Sequence, residues 1–199
     1  KPGAILVDQS GVRYMNEGGS YELYCQTMFE RNAVVPAVPS YAIFDARFAS
    51  KYPVGGVKLA KYRDKWLEAG YLKQGDSVEE LAAQLSIDPA TLRGTVDRWN
   101  GFVDAGHDAD FGRGARRYDQ GPYYAVPILP GDVSTYGGAV TDASARVVDT
   151  AGNIVEGLYA CGVSSASVMG GVYVGAGASI GPSLAFGYVA AKHAAGMNH

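Results

Sequence analysis

Residues 170–188 read GGVYVGAGASIGPSLAFGY, and the reading of this stretch decides the fold around it. Six glycines and one proline leave the backbone bare before the chain turns into an apolar helix. Such a segment can press main-chain N–H groups against a flat or anionic ligand, because glycine has no Cβ and a helix start leaves amides without intrahelical partners. It also sets one phenol, Tyr173, beside those amides. A phenol O–H and an amide N–H that converge make a donor pair for a developing oxyanion, next to a bound cofactor. Alone, Tyr173 would read as a tyrosine packed at a loop edge with its O–H on a carbonyl. Inside the glycine frame it reads as functional.

Working outward, residues 157–162 read as a buried strand leading into the loop, and residues 180–195 as the closing helix. Before them, residues 137–141 and 145–149 look like strands flanking a turn, and Ala151-Gly152-Asn153 is a tight turn. A polar loop fills residues 106–121. Further upstream, Asp88-Pro89 opens a helix that runs to about Asp104, with Pro89 at its first position and Leu92, Val96 and Trp99 at helical spacing. Ser77 and Glu80 form a capping-box pattern for a helix to Leu85. Residues 58–69 and 21–28 are also helix-like. Residues 4–8 and 41–45 read as strands, and residues 11–17 as a hairpin partner of the first. The expected fold class is α+β, divided into a module over residues 1–132 and a strand-strand-strand-loop-helix unit over residues 133–199.

The 199 residues suffice for one large domain or two small ones. A composition of 47% hydrophobic and 19% charged residues is that of an ordinary globular protein. A net charge of -3 argues against a nucleic-acid footprint, and no apolar run reaches the length of an integral membrane segment. The chain starts Lys1-Pro2-Gly3, without an initiator Met or a signal-peptide pattern, which reads as the middle of a larger protein. Cys25 and Cys161 are too few for a disulfide framework, and Cys161 reads as a buried thiol; a reducing, cytoplasmic location fits. With 14 tyrosines against 3 histidines, phenols are the obvious candidates for polar chemistry. No cluster of ligand-type side chains suggests a metal. Asp108-Ala109-Asp110 reads as a turn held by Asx hydrogen bonds, His107 as an exposed loop residue, His193 as a solvated or dipole-favoured residue, and Arg113, Arg116 and Arg117 as a solvated basic face.

Three stretches resemble the fumarate reductase-like FAD flavoproteins, and within them the 3-ketosteroid 1-dehydrogenases. The first, residues 11–21, is similar to that family's Gly-x-Arg-Phe-x-Asn-Glu-x-x-x-Tyr. The second, residues 95–100 and 108–114, looks like its helix and Asp-x-Asp-Phe-Gly-Arg-Gly loop. The third runs from Gly131 through residues 157–162 to Tyr188. Together they cover nearly the whole chain. The resemblance implies a catalytic, or cap, domain followed by the C-terminal part of the α/β FAD-binding domain. Three departures stand out. The Gly-x-Gly-x-x-Gly fingerprint is absent, since the family carries it in an N-terminal Rossmann half that this chain lacks. The segment 116–124, ahead of the family's Pro-x-Tyr-Ala strand, is short. Val163 stands where the steroid enzymes usually have Asn.

By the same resemblance, Tyr173 and the backbone N–H of Gly177 form an oxyanion hole, and Tyr21 is the base that removes the proton alpha to a ring ketone. A free phenol titrates near pH 10, about, so such a base needs help from its surroundings. The family supplies a second tyrosine from the N-terminal portion. Without the resemblance, Tyr21 reads equally well as an aromatic at a helix start. Gly162, Ser179, Gly181, Pro182, Ser183 and Leu184 are implied to hold FAD, the last helix aiming its N-terminus at the pyrimidine end of the ring, where amides and the positive dipole end favour negative charge; the same features read otherwise as an ordinary helix start. The implied partners are a small-molecule steroid and an external electron acceptor. Three alternatives remain open at the level of sequence: a fumarate reductase-like enzyme for a small carboxylate, a sister steroid enzyme acting at another ring position, and an accessory domain without activity. The first of these wants arginine or histidine around the substrate, and residues 18–24 and 170–181 contain neither.

Overall fold

The computed structural model describes residues 3–114, 117–132 and 134–197. The chain forms two compact units, Lys1–Pro130 and Gly131–His199. Within the first, a four-stranded antiparallel sheet has the order β1-β2-β4-β3, from β1 (Ala4–Val7), β2 (Ser40–Asp45), β3 (Lys73–Gly75) and β4 (Tyr123–Ile128). Successive strand side chains point to opposite faces, and both faces are apolar, so both must be covered.

One face carries Ile5, Val7, Ile43 and Ala125. Helices α4 (Val78–Leu85) and α5 (Pro89–Ala105) cover it with Leu81, Leu85, Leu92, Val96 and the fully buried Trp99. The other face carries Phe44, Tyr124 and Val126, which pack on Phe48 of α2 (Ala46–Lys51), Leu59 of α3 (Leu59–Glu68) and Leu72. Leu6, on this second face, meets Met28 of α1 (Tyr21–Asn32) together with Met15 and Ala37.

Local chemistry sets the helix ends. The Ser20 hydroxyl accepts from the Leu23 N–H, Asp45 from Phe48, Ser77 from Glu80 and Asp88 from Thr91. These are the side-chain oxygens that satisfy otherwise unpaired amides of a first turn. The Glu80 carboxylate reaches back to the Asp76 N–H at 2.9 Å, one residue before the cap. Pro89 stands at the start of α5, and Gly106 closes it with φ +69.

Three expectations differ from the fold. Residues 11–17 do not form a hairpin strand: a single bridge joins Val7 to Arg13, and the Arg13 side chain turns inward to two carboxylates. Residues 137–141 make only isolated bridges, Ala139 to Ser165 and Thr141 to Val147. The strand expected over 157–162 lies at β6 (Ile154–Tyr159), and its residues 155–158 are exposed rather than buried. Among the described residues, strand β6 pairs with β5 (Arg146–Val148) alone, in a two-stranded sheet. A 3₁₀ turn over Gly162–Ser164 and helix α6 (Ile180–Ala194) complete the second unit. Among the described residues α6 buries none of its own, and Cys161 is half-buried, not enclosed.

Candidate functional site

Tyr21 is the first residue of α1 and is 52% exposed, so the course of the helix start aims its phenol. That start is fixed from the preceding turn. Asn16 accepts the Gly18 N–H through Oδ1 at 2.7 Å and donates through Nδ2 to the Phe111 carbonyl at 2.9 Å. Tyr24, one turn into the helix, donates its O–H to the Glu17 carbonyl at 2.7 Å. Burial, then the nearby Glu17 charge, pushes the Tyr24 phenol well above its ordinary range, so it stays a donor.

Beneath this turn lies a balanced charge cluster. The Glu17 carboxylate accepts from the Leu6 N–H, from Arg13 Nε and Nη2, and from Arg113 Nη1. Arg13 forks onto Asp108 through Nη1 and Nη2 at 3.1 and 2.9 Å, with its guanidinium 4.6 Å from the Trp99 ring and 4.8 Å from the Phe111 ring. Asp108 also accepts the N–H groups of Asp110, Phe111 and Arg113. Burial raises the Asp108 carboxyl, but the Arg13 fork and the Arg113 amide outweigh it and bring the acid down to about 2. The fork is bidentate and charge-assisted, the strong form of this contact.

The cluster corrects two expectations. Asp108 makes the expected Asx turn, but its main partner is Arg13, and it is 1% exposed. Arg113 is no solvated residue: its side chain is 8% exposed and bonds to Glu17 and the Ala4 carbonyl. Arg117 does lie at the surface, paired with Asp104, while Arg116 and His199 fall outside the described residues. The signal for the cluster was present as the two arginine- and acid-bearing motifs, but their meeting is a tertiary fact that no spacing reveals.

The second unit carries Tyr173 and Gly177. Tyr173 is half-buried and Gly177 exposed, with three residues, Val174, Gly175 and Ala176, between them in sequence. Gly175 has φ +136 and Gly177 φ +96, a backbone region that residues with a Cβ avoid. The carbonyls of these two glycines accept the N–H groups of Ala178 and Gly181, at 3.1 and 2.9 Å. Beyond Gly177 and its two chain neighbours, no heavy atom of the described residues lies within 4 Å of where a Gly177 Cβ would stand. Within this chain, then, backbone conformation and not crowding calls for glycine there.

The residues expected around FAD suit a flat, electron-accepting ring in three respects. Helix α6 has no acidic residue in its first turn and no side-chain cap on Ser179, so nothing local opposes negative charge at its N-terminus. The Cβ position of Gly181 is open, and Ile180 and Leu184 are 64% and 69% exposed. Gly162, at φ +63, brings the end of the strand region close to α6: a Cβ there would stand 3.1 Å from Ser183 Oγ. In one respect the geometry differs from expectation. The Ser183 N–H bonds back to the Ser179 carbonyl at 3.2 Å, as does its hydroxyl at 2.7 Å, because helical turns already begin within residues 175–181. Pro182 has no N–H to lend. His193 accepts or donates to the Tyr159 phenol at 2.8 Å, tying α6 to β6. Among the described residues no group of histidine, cysteine or acidic side chains is placed to hold a metal, and no helix is long and apolar enough to cross a membrane.

Comparison with known proteins reaches both units. Residues 1–180 match the sequence model of the FAD binding domain family. The chain is 36% identical to a 3-oxosteroid 1-dehydrogenase of Mycobacterium tuberculosis over 98% of its own length and 39% of the relative's. It superposes with a TM-score of 0.90 and 35% identity on a 3-ketosteroid delta1-dehydrogenase from Sterolibacterium denitrificans, solved with 1,4-androstadiene-3,17-dione, covering 99% of this chain and 39% of that one. A flavocytochrome c3 fumarate reductase in an open conformation follows at a TM-score of 0.67 and 30% identity, over 98% of this chain and 33% of that one. The chain thus spans about two fifths of the steroid enzymes it matches, and its fold is the α+β fold of the fumarate reductase-like flavoproteins. A match that runs from the edge of the four-stranded sheet to the start of α6 leaves one assignment: the chain belongs to the FAD binding domain family.

Proposed function

We propose that this chain forms the catalytic unit and the last part of the cofactor unit of an FAD-dependent 3-ketosteroid dehydrogenase. The observation that carries this reading is the likeness of the whole chain, across both units, to an enzyme solved with a steroid diene. The weaker likeness to a fumarate reductase, and the lack of arginine and histidine in residues 170–181, speak against a small dicarboxylate.

In this reading the steroid ring ketone lies against Tyr173 and Gly177. The Tyr173 O–H and the Gly177 N–H donate to the ketone oxygen as charge develops on it, which lowers the barrier for loss of the neighbouring proton. Tyr21, as phenolate, takes that proton from the carbon alpha to the ketone and becomes the phenol. A bound FAD would supply the hydride acceptor for the adjacent carbon, so that loss of proton and hydride together would leave a ring double bond. Gly162, Ser179, Gly181, Pro182, Ser183 and Leu184 would hold the cofactor, the acid-free start of α6 favouring negative charge on it. An external acceptor then reoxidises the enzyme.

The test uses the complete flavoenzyme mixed without oxygen with a 3-keto-4-ene steroid. Rapid bleaching of the flavin band with a 1,4-diene as product is the expected result. Tyr21→Phe should keep its flavin and lose most turnover. Absence of bleaching with steroids, coupled to reoxidation of reduced enzyme by fumarate, would overturn the reading.

A further inference from the structure

We propose that Asp108 and Asn16 are positioning residues for Tyr21: the loop at 108–113 sets the start of α1, and through it the direction of the phenol. The inference rests on the reading of Tyr21 as the base. Neither residue touches the reacting atoms in this account; both act through the turn at 16–20.

The two ends of α1 are held in different ways. Its far end is anchored by packing and by an ion pair: Met28 is buried with Leu6 and Met15, and Arg31 bonds to the buried Asp8 at 2.7 Å. Its near end has no buried residue and a long cap, the Ser20 hydroxyl standing 3.3 Å from the Leu23 N–H. A cap at that distance is weak. The near end is held instead by residues before it. Asn16 joins the Gly18 amide to the Phe111 carbonyl, and Glu17 is clamped by Arg13 and Arg113, of which Arg13 is forked onto Asp108. Tyr24 then ties the first helical turn to the Glu17 carbonyl. Phe111, Arg113 and Asp108 all belong to the loop that follows α5, about 95 positions along the chain. The loop 108–113 is therefore the base plate, and residues 13–20 the bracket, on which Tyr21 stands. A general base works only within hydrogen-bond reach of the proton it takes, and a misplacement of about 1 Å can cost a hundredfold in rate.

This division predicts a kinetic signature. With the far end of α1 still anchored, loosening the bracket shifts Tyr21 without unfolding the helix. In the complete flavoenzyme, Asp108→Asn and Asn16→Ala should each lower kcat for the steroid by about tenfold to a hundredfold, with KM and flavin content per chain within about twofold. In a Tyr21→Phe background neither change should lower the residual rate further, since groups acting through one another are not additive. A merely structural role would instead reduce yield and flavin content and leave kcat per bound flavin unchanged, and that result would overturn the inference. It is equally overturned by full kcat in both variants while Tyr21→Phe is inactive, or by additive losses in the Tyr21→Phe background. Full turnover in Tyr21→Phe alone removes the reading of Tyr21 itself, and the inference with it. Should Asp108→Asn fail to fold, Asn16→Ala, at a half-buried site with a single link to the loop, decides the matter.

Discussion

Arg13 and Asp108 stand 95 positions apart and meet through two parallel N–H···O bonds of 3.1 and 2.9 Å, both side chains almost wholly out of water. A pair of this kind owes its importance less to net attraction than to what happens when one member is removed, because the remaining charge is left buried without its partner. Arg13→Ala should destabilise the first unit by about 3–5 kcal/mol. Arg13→Lys should recover only part of this, since an ammonium cannot fork onto two carboxylates. Denaturant unfolding of the complete flavoenzyme, followed by circular dichroism and by tryptophan fluorescence, to which Trp66 and Trp99 of that unit contribute, checks it. An unchanged midpoint for Arg13→Ala would refute the assignment.

Acid should unfold this region along a defined limb. Asp108 has a folded value of about 2, beneath the ordinary aspartate value of about 3.9 that it regains when unfolded. The stability it lends is therefore complete above about pH 4 and disappears as pH falls from there toward 2. Thermal midpoints taken between neutral pH and pH 2, roughly, should show that decline, and Asp108→Asn should flatten it from a lower plateau. An identical acid limb in the variant would mean that other carboxylates carry the effect.

Loss of the Tyr173 hydroxyl should be felt in the transition state and hardly in binding. For Tyr173→Phe we expect kcat to fall by about 10²–10³-fold with KM little changed, the ordinary consequence of deleting one oxyanion donor. Steady-state kinetics with the steroid on the complete enzyme check it. A rise in KM at constant kcat would make Tyr173 a binding group only.

Two neighbouring glycines should respond in opposite ways. Gly181 sits inside α6 with open space at its Cβ position, so Gly181→Ala should stabilise the helix by up to about 1 kcal/mol while weakening FAD, whose approach the methyl obstructs. Gly177 has φ +96, and Gly177→Ala should cost about 1–3 kcal/mol locally despite equal room. Thermal midpoints with and without excess FAD separate the two effects. Gly181→Ala with unimpaired flavin retention would place the ring elsewhere.

The sequence reveals those parts of this fold whose causes are local. The cap at Ser77, the proline that opens α5, the apolar spacing of Leu92, Val96 and Trp99 and the glycine run before α6 are each written within a few residues, and each was legible. What escaped was set by distant partners. Strand β3 has three residues and no apolar run; it exists because Lys73 to Gly75 pair with Tyr123 to Ala125. Helix α2 is the exception: its cap is local, the Phe48 N–H donating to Asp45, but it follows β2 without a break and the strand pattern of residues 41–45 hides it. Among site residues, Tyr21, Tyr173 and Gly177 could be named from resemblance alone. The Arg13–Glu17–Asp108–Arg113 cluster was visible merely as two motifs, since its chemistry lies in their meeting.

That meeting also fixes an order of events during synthesis. Until residues 108–113 have left the ribosome, Arg13 and Glu17 have neither Asp108 nor Arg113 to meet, and β2 lacks β4 until residue 128 is made. Local helices such as α5 are free to form early, but the sheet and the charge cluster that surround them close only with the last few dozen residues of the first unit. A ribosome that pauses short of that point holds a chain with exposed apolar strand and unmatched charge, the species on which chaperones act.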